Sequence, residues 1–167
     1  MSFRVRAAEP ADAAQLVELA RAVGTEPEGW LLSDVWPRSV ADERRYLRAV
    51  RRSVAGAVSV AEEHRELIGR LSLARDPHPA SAHVADVGLM VAEGHRRRGV
   101  GRALLGAAEE WARRVGIRKI ELHVFPHNAA GIALYEAAGY DREGYRRAHY
   151  RTSAGRFADV ILMAKLL

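Results

Sequence analysis

Hydrophobic and polar positions change period several times along the chain, and each change predicts an element. Phe3, Val5 and Ala7 alternate with Arg4 and Arg6, which predicts a first strand over residues 3–8 with one buried face. From Pro10 to Val23, Ala13, Leu16, Val17, Ala20 and Val23 share one side of a helix that starts near a proline and stops at Gly24. Residues 25–38 follow neither period. They hold Glu26, Glu28, Trp30, Leu31, Asp34, Trp36 and Pro37, a long loop of the kind used either as a cover or for binding. Ser39-x-x-Asp42 reads as a capping box opening a second helix to about Arg52. Strand-like runs at 55–61 and 66–75, separated by the polar stretch 62–65, predict a hairpin.

After the loop at Asp76-Pro77-His78-Pro79, a strand is expected from His83 to Val91, and Val87 to Val91 is almost wholly apolar. Apolar residues then recur at Val100, Leu104, Ala107, Ala108, Trp111 and Val115, one face of a helix capped by Gly116. Lys119 to Val124 reads as a strand with Ile120, Leu122 and Val124 on one face, and a short helix runs from Ala129 to Ala138, stopped by Gly139. Residues 140–151 and 157–167, with a turn at 152–156, complete a last hairpin. The order β-α-α-β-β-β-α-β-α-β-β gives an α/β (α+β) domain over residues 1–167, a mixed sheet flanked by helices.

The chemistry concentrates between that central strand and the helix after it. A helix start exposes unpaired N–H groups and a partial positive charge, which favours a phosphate. Gly99 and Gly101 place no Cβ in the way of one, and Arg96, Arg97, Arg98 and Arg102 surround the turn with charge. Two familiar phosphate loops do not match. Gly94 and Gly99 have Walker spacing, but Val100 and Gly101 stand where Lys and Ser/Thr are required. Gly99-x-Gly101 begins a dinucleotide fingerprint, yet Leu104 is too large for its third position, and Glu121 sits too early in its strand to meet a ribose.

Arg96-x-x-Gly99-x-Gly101 after an apolar strand resembles the acetyl-coenzyme A loop of the GNAT superfamily of N-acetyltransferases, whose motif is Arg/Gln-x-x-Gly-x-Gly/Ala. About thirty residues later, Asn128-Ala-Ala-Gly-Ile-Ala-Leu-Tyr135-Glu-Ala-Ala-Gly139-Tyr140 is similar to the family's Asn-x-x-x-x-x-Leu-Tyr-x-x-x-Gly-Phe/Tyr segment. The resemblance extends over nearly the whole chain and implies a mostly antiparallel central sheet whose central strand and the next one splay apart. It implies acetyl-coenzyme A as cosubstrate, with no metal. Backbone groups at Leu89, Met90 and Val91 would bind the pantetheine arm like an added strand. The turn and helix start formed by Arg96, Arg97, Arg98, Gly99, Val100, Gly101, Arg102 and Ala103 would bind the phosphates, and Asn128 the arm or its thioester end.

By the same resemblance Tyr135 is the general acid that protonates the leaving thiol. The family's base is often a Glu on a splayed strand, and no Glu stands at the obvious places. His123 occupies a position some relatives fill with Glu, and an imidazole with a reference pKa of about 6.5 suits proton removal near neutrality; Asp86 and Glu121 are alternatives. The expected acceptor is a small-molecule primary amine, an amino acid or drug-like amine, with Trp30, Trp36, Glu26 and Glu28 as its mouth. Protein N-termini or lysines are the rival. Outside the class stand a coenzyme-binding module without turnover and a nucleic-acid binder using Arg96 to Arg102. Asn128 and Tyr135 argue against the first, and the lack of aromatic residues within that basic run argues against the second.

Composition narrows this little further. The chain has 167 residues, net charge +5 and no cysteine, which suits one core and an anionic partner and excludes disulfides, thiolate metal sites and a cysteine acyl-enzyme. Neither His123 with His127 nor Asp76 with His78 and His83 fixes a ligand face, so no metal site is expected. There is no apolar leader and no apolar run of membrane-spanning length, so a cytoplasmic protein without membrane contact is expected, with a homodimer left open.

Overall fold

In the computed structural model, which describes residues 2–31 and 38–167, each change of period marks an element. β1 (Arg4–Ala7) leads through a 3-10 turn at Pro10–Asp12 into α1 (Ala13–Gly24). α2 (Val40–Val50) opens on the expected capping box: Ser39 Oγ accepts from Asp42 N at 3.1 Å, and the Asp42 carboxylate reaches back to Ser39 N at 3.4 Å. β2 (Gly56–Glu63) and β3 (Glu66–Arg75) form the first hairpin.

That hairpin departs from expectation in one respect. The turn is His64 and Arg65 alone, at φ 50° and 72°, not the four polar residues 62–65. Two left-handed residues match the twist of the flanking strands, and both glutamates remain in β2 past a bulge at Ala61/Glu62. Each has basic partners that outweigh the turn-like character of its side chain. Glu62 takes Arg4 and Arg6, and Glu63 takes Arg98 and His95.

β4 (Val84–Val91), α3 (Val100–Arg114), β5 (Lys119–Val124), α4 (Ala129–Ala137), β6 (Asp141–Arg151) and β7 (Phe157–Leu166) complete the chain. The seven strands lie in the order β1-β2-β3-β4-β5-β7-β6, and every neighbouring pair is antiparallel except β4 and β5. The parallel junction is short: Val84, Ala85 and Asp86 oppose Lys119, Ile120 and Glu121, and the two strands then part. From Val87 onward β4 stays paired only to β3, and from Leu122 onward β5 stays paired only to β7.

Helices cover both faces. On one, Leu104, Leu105, Ala108 and Ala112 of α3 and Ile132 and Tyr135 of α4 pack on Ala85, Val87, Ile120, Leu122 and Val124. On the other, Leu16 and Leu47 pack on Val58, Val60 and Leu67, and Leu19, Ala20 and Val23 pack on Met90. Fully burying one such leucine contributes about 2 kcal/mol, so the wedge between β4 and β5 opens inside a framework held on both sides. Among the described residues no helix is long and apolar enough to cross a membrane.

Candidate active site

The end of β4 passes through a 3-10 turn at Glu93–His95 into two left-handed residues, Arg97 at φ 61° and Gly99 at φ 85°. Gly99 is the N-cap of α3 and supplies no side-chain cap, so among the described residues the first N–H groups of a 15-residue helix lack intrahelical and side-chain partners. Left-handed turns of this kind gather successive N–H groups into an anion-binding concavity, reinforced by the helix dipole.

This turn forms one wall of a cavity of about 500 Å³ at the open end of the wedge. Leu89, Met90, Val91, Arg96, Arg97, Gly99, Val100, Gly101, Arg102 and Asn128 line it, as does Tyr135, while Arg98 and Ala103 do not. Asn128 caps α4, its Oδ1 accepting from Gly131 N at 2.9 Å. Tyr135 is 8 % exposed, and burial pushes its phenol up to about 12, so it stays protonated throughout the neutral range.

The four arginines do not act alike. The Arg96 guanidinium grips the Glu26 carboxylate at 2.7 and 2.6 Å and donates from Nε to Val91 O at 3.1 Å. Arg98 turns to Glu63 at 2.8 and 3.2 Å. Only Arg97 and Arg102 line the cavity without an acidic partner within ion-pair distance among the described residues. Glu26, expected at an acceptor mouth, is thus held by Arg96. Glu28 contributes a carbonyl that accepts from His127 Nε2 at 3.0 Å, and Trp30 stacks on His127 with ring centroids 6.0 Å apart. Trp36 and Asp34 lie outside the described residues.

His123 is not in this cavity. Leu122 and Val124 face α3 and α4, so by strand alternation His123 and Glu121 project from the opposite face, as does Asp86 beside Ala85 and Val87. There His123 Nδ1 lies 2.8 Å from the Tyr150 hydroxyl, and its ring meets those of His149 and Tyr150 edge-on at 5.1 and 5.8 Å. Partial burial, then Arg146 and His149, hold the imidazole below its ordinary pKa. Asp86 moves the other way. Loss of hydration by its sheet neighbours and repulsion from Glu121 push its carboxyl up to about 6. The wedge therefore separates a phenol on one face from an imidazole and a raised carboxyl on the other, with the unpaired ends of β4 and β5 between them.

Tyr150 and Gly131 were not legible as site residues. Tyr150 belongs to an edge strand and reaches His123 across β7, aided by a bulge between Arg146 and Tyr150 where Ala148 takes φ 50° and donates to Asp159 at 2.7 Å. Gly131 lines the cavity, and a Cβ there would meet the Asn128 side chain at 2.8 Å, so glycine is needed for the cap to fit. Its place three residues after an N-cap asparagine was the available signal.

The chain is 31 % identical over 105 residues to the L-amino acid N-acetyltransferase AaaT of Escherichia coli, a match covering 60 % of this chain and 62 % of that protein. It is 41 % identical over 70 residues to the ribosomal protein bS18-alanine N-acetyltransferase of the same species, covering 42 % and 47 %. These matches thus span less than two thirds of either relative. A GNAT-family acetyltransferase from Streptococcus pneumoniae superposes with a TM-score of 0.90 at 28 % identity over 99 % of both chains. The structure of yncA from Salmonella typhimurium, solved with its cofactor acetyl-CoA, shares the fold with a TM-score of 0.86 at 23 % identity, covering 100 % of this chain and 95 % of the other. The profile of the Acetyltransferase (GNAT) family matches residues 17–140, from within α1 through the cradle to the residue after α4 and its glycine, and the chain belongs to that family.

Proposed function

We propose that this protein transfers the acetyl group of acetyl-coenzyme A to the primary amine of a small molecule, with free amino acids as the favoured acceptor class. The observation that carries the reading is the wedge cavity itself, with a helix start lacking a side-chain cap and two arginines without acidic partners among the described residues at one end, and a buried, protonated tyrosine in its wall. The residues present fit the coenzyme. Arg97, Arg102 and the N–H groups of the turn suit its phosphates, and Leu89, Val91 and Leu134 suit an uncharged arm.

When bound, acetyl-coenzyme A supplies a thioester carbonyl at which a C–N bond forms as the C–S bond breaks. The chain's own groups manage the protons. Tyr135, un-ionised at neutral pH, donates from its hydroxyl to the departing sulfur. On the other face His123, depressed in pKa and steadied by Tyr150, takes the proton the amine sheds, with Asp86 as the alternative acceptor.

A small acceptor is favoured because both approaches are narrowed. Residues 26–30 are tied to the cradle by Glu26–Arg96 and to the segment between β5 and α4 by Glu28–His127, while His149 and Tyr150 fold over β7 onto His123. The AaaT relative acts on L-amino acids by name; the bS18 relative, named for a protein alanine, keeps the peptide reading as the rival.

A thiol-release assay over amino acids, simple amines and peptides tests the proposal, alongside calorimetry with acetyl-coenzyme A. Turnover at least tenfold faster with free amino acids or small amines than with peptides is expected. Turnover confined to peptide N-termini would transfer the reading to the rival, and coenzyme binding without turnover on any amine would make the protein a binding module.

A further inference from the structure

We propose that Glu63, a carboxylate on β2 outside the cavity, is a positioning residue for the coenzyme phosphates. It acts by holding Arg98 and His95 so that Arg97 and the N–H groups of the turn face the cavity. The inference rests on the reading above that acetyl-coenzyme A occupies the wedge.

Glu63 is 8 % exposed and sits one residue before the two-residue turn of the β2–β3 hairpin. Its carboxylate receives both Nη atoms of Arg98 at 2.8 and 3.2 Å, His95 Nε2 lies 3.3 Å from it, and Ser2 Oγ donates to it as well. Hydrogen bonds from Ser2 and Arg98 hold this carboxyl below its ordinary range, so it is charged at neutral pH. His95 and Arg98 bracket the turn. Between them Arg96 is pulled the other way, to Glu26 and Val91 O. With its neighbours fixed on two different acids, Arg97 is left to line the cavity in the left-handed region. A non-glycine residue there is strained and persists only where its surroundings over-determine it.

A buried carboxylate close behind an anion site is, by charge alone, unfavourable for phosphate binding. The two views of Glu63 therefore differ in sign. If only charge counted, Glu63→Gln would remove a repulsion, release Arg98 and tighten coenzyme binding. If Glu63 positions the turn, the same change loosens Arg98 and His95, lets Arg97 leave its strained conformation, and weakens binding.

The test is calorimetric affinity for acetyl-coenzyme A in the 167-residue chain, with steady-state kinetics. Glu63→Gln is expected to raise Kd and the coenzyme KM about tenfold, with kcat at saturating coenzyme within about twofold of wild type. Glu62→Gln is the control. It makes the same charge change at the adjacent residue, whose partners are Arg4 and Arg6, and is expected to leave Kd within about twofold. Arg98→Gln should weaken binding as Glu63→Gln does, and the double variant no more than either alone. Glu63→Asp keeps the charge and shortens the reach, and is expected to weaken binding several-fold; it serves if Glu63→Gln fails to fold. Unchanged or tighter binding in Glu63→Gln or Glu63→Asp would overturn the proposal, as would additive losses in the double variant, which would make Arg98 a direct phosphate ligand. Wild-type protein that does not bind acetyl-coenzyme A at all would instead sink the functional reading on which this one rests.

Discussion

Asp86 of β4 and Glu121 of β5 oppose each other in the last register pair of the parallel junction, at the point where the two strands part. Loss of hydration first, and then the like charge of Glu121 at the crotch of the wedge, push the Asp86 carboxyl up to about 6 in the folded protein, against about 3.9 in an unfolded chain.

The consequence for stability has a definite sign. A carboxyl raised in the folded state binds its proton more tightly there than in the unfolded chain. Its favourable contribution is complete below about pH 4 and is lost as pH rises through about 6. Asp86→Asn should therefore raise Tm relative to wild type at pH 7–8, and the gain should vanish near pH 4. Thermal melts across that range check this, and a pH-independent difference would exclude the titration as its cause.

For the proton acceptor, His123→Ala is expected to remove the acidic limb of the kcat/KM profile, measured with an acceptor of low amine pKa so that the amine does not supply the limb. That limb should lie below the usual imidazole range, because burial and then Arg146 and His149 depress His123. A limb that survives in His123→Ala and disappears in Asp86→Asn would assign the role to Asp86.

Tyr135→Phe should lower kcat by roughly 10²-fold, the low end for general acid catalysis, with coenzyme Kd little changed because the ring still packs beside Tyr140. Since burial pushes Tyr135 up to about 12, wild-type kcat should show no basic limb from this group below about pH 10. Full turnover in the variant would remove the assignment.

The two glycines of the cradle should fail differently. A Cβ at Gly101 would lie 2.8 Å from Leu134 Cδ2, the mobile end of a cavity-lining side chain, so Gly101→Val should drive Leu134 into the cavity. Coenzyme Kd should rise at least tenfold with a modest fall in Tm. A Cβ at Gly99 would meet no atom of the described residues within 4 Å beyond its chain neighbours, but φ is 85°, so Gly99→Ala should cost about 1 kcal/mol of stability in urea unfolding.

Glu43 is wholly buried between α2 and β3, with Arg70 Nη1 at 2.9 Å and Arg38 Nη1 at 3.2 Å. Removing the carboxylate alone, as Glu43→Ala, should cost about 3–5 kcal/mol in urea unfolding, because Arg70 loses the acid its burial depends on. Replacing both, as Glu43→Leu with Arg70→Met, should recover most of that loss.

What the sequence by itself determined is local. The period changes placed every helix and strand to within a few residues, since apolar spacing and caps such as Ser39 and Asn128 act within one or two turns of chain. Gly99 announced a left-handed turn because glycine suits such backbone, Gly101 a close approach, which is that of the Leu134 side chain on an ordinary helical backbone, and the motif around Asn128 and Tyr135 located the second wall of the cavity. What only the tertiary structure decided is which charge meets which. Four neighbouring arginines carry the same letter, yet Arg96 answers to Glu26 on another helix's exit, Arg98 to Glu63 on a distant hairpin, and Arg97 and Arg102 to the cavity. Glu63 read as turn because a polar residue beside His64-Arg65 has no local reason to stay in a strand; its reasons lie 32 and 35 residues away at His95 and Arg98. His123 and Tyr135 likewise fall on opposite faces of the sheet because strand alternation and the stacking of α4 set them there, and no spacing along the chain measures the distance between two faces.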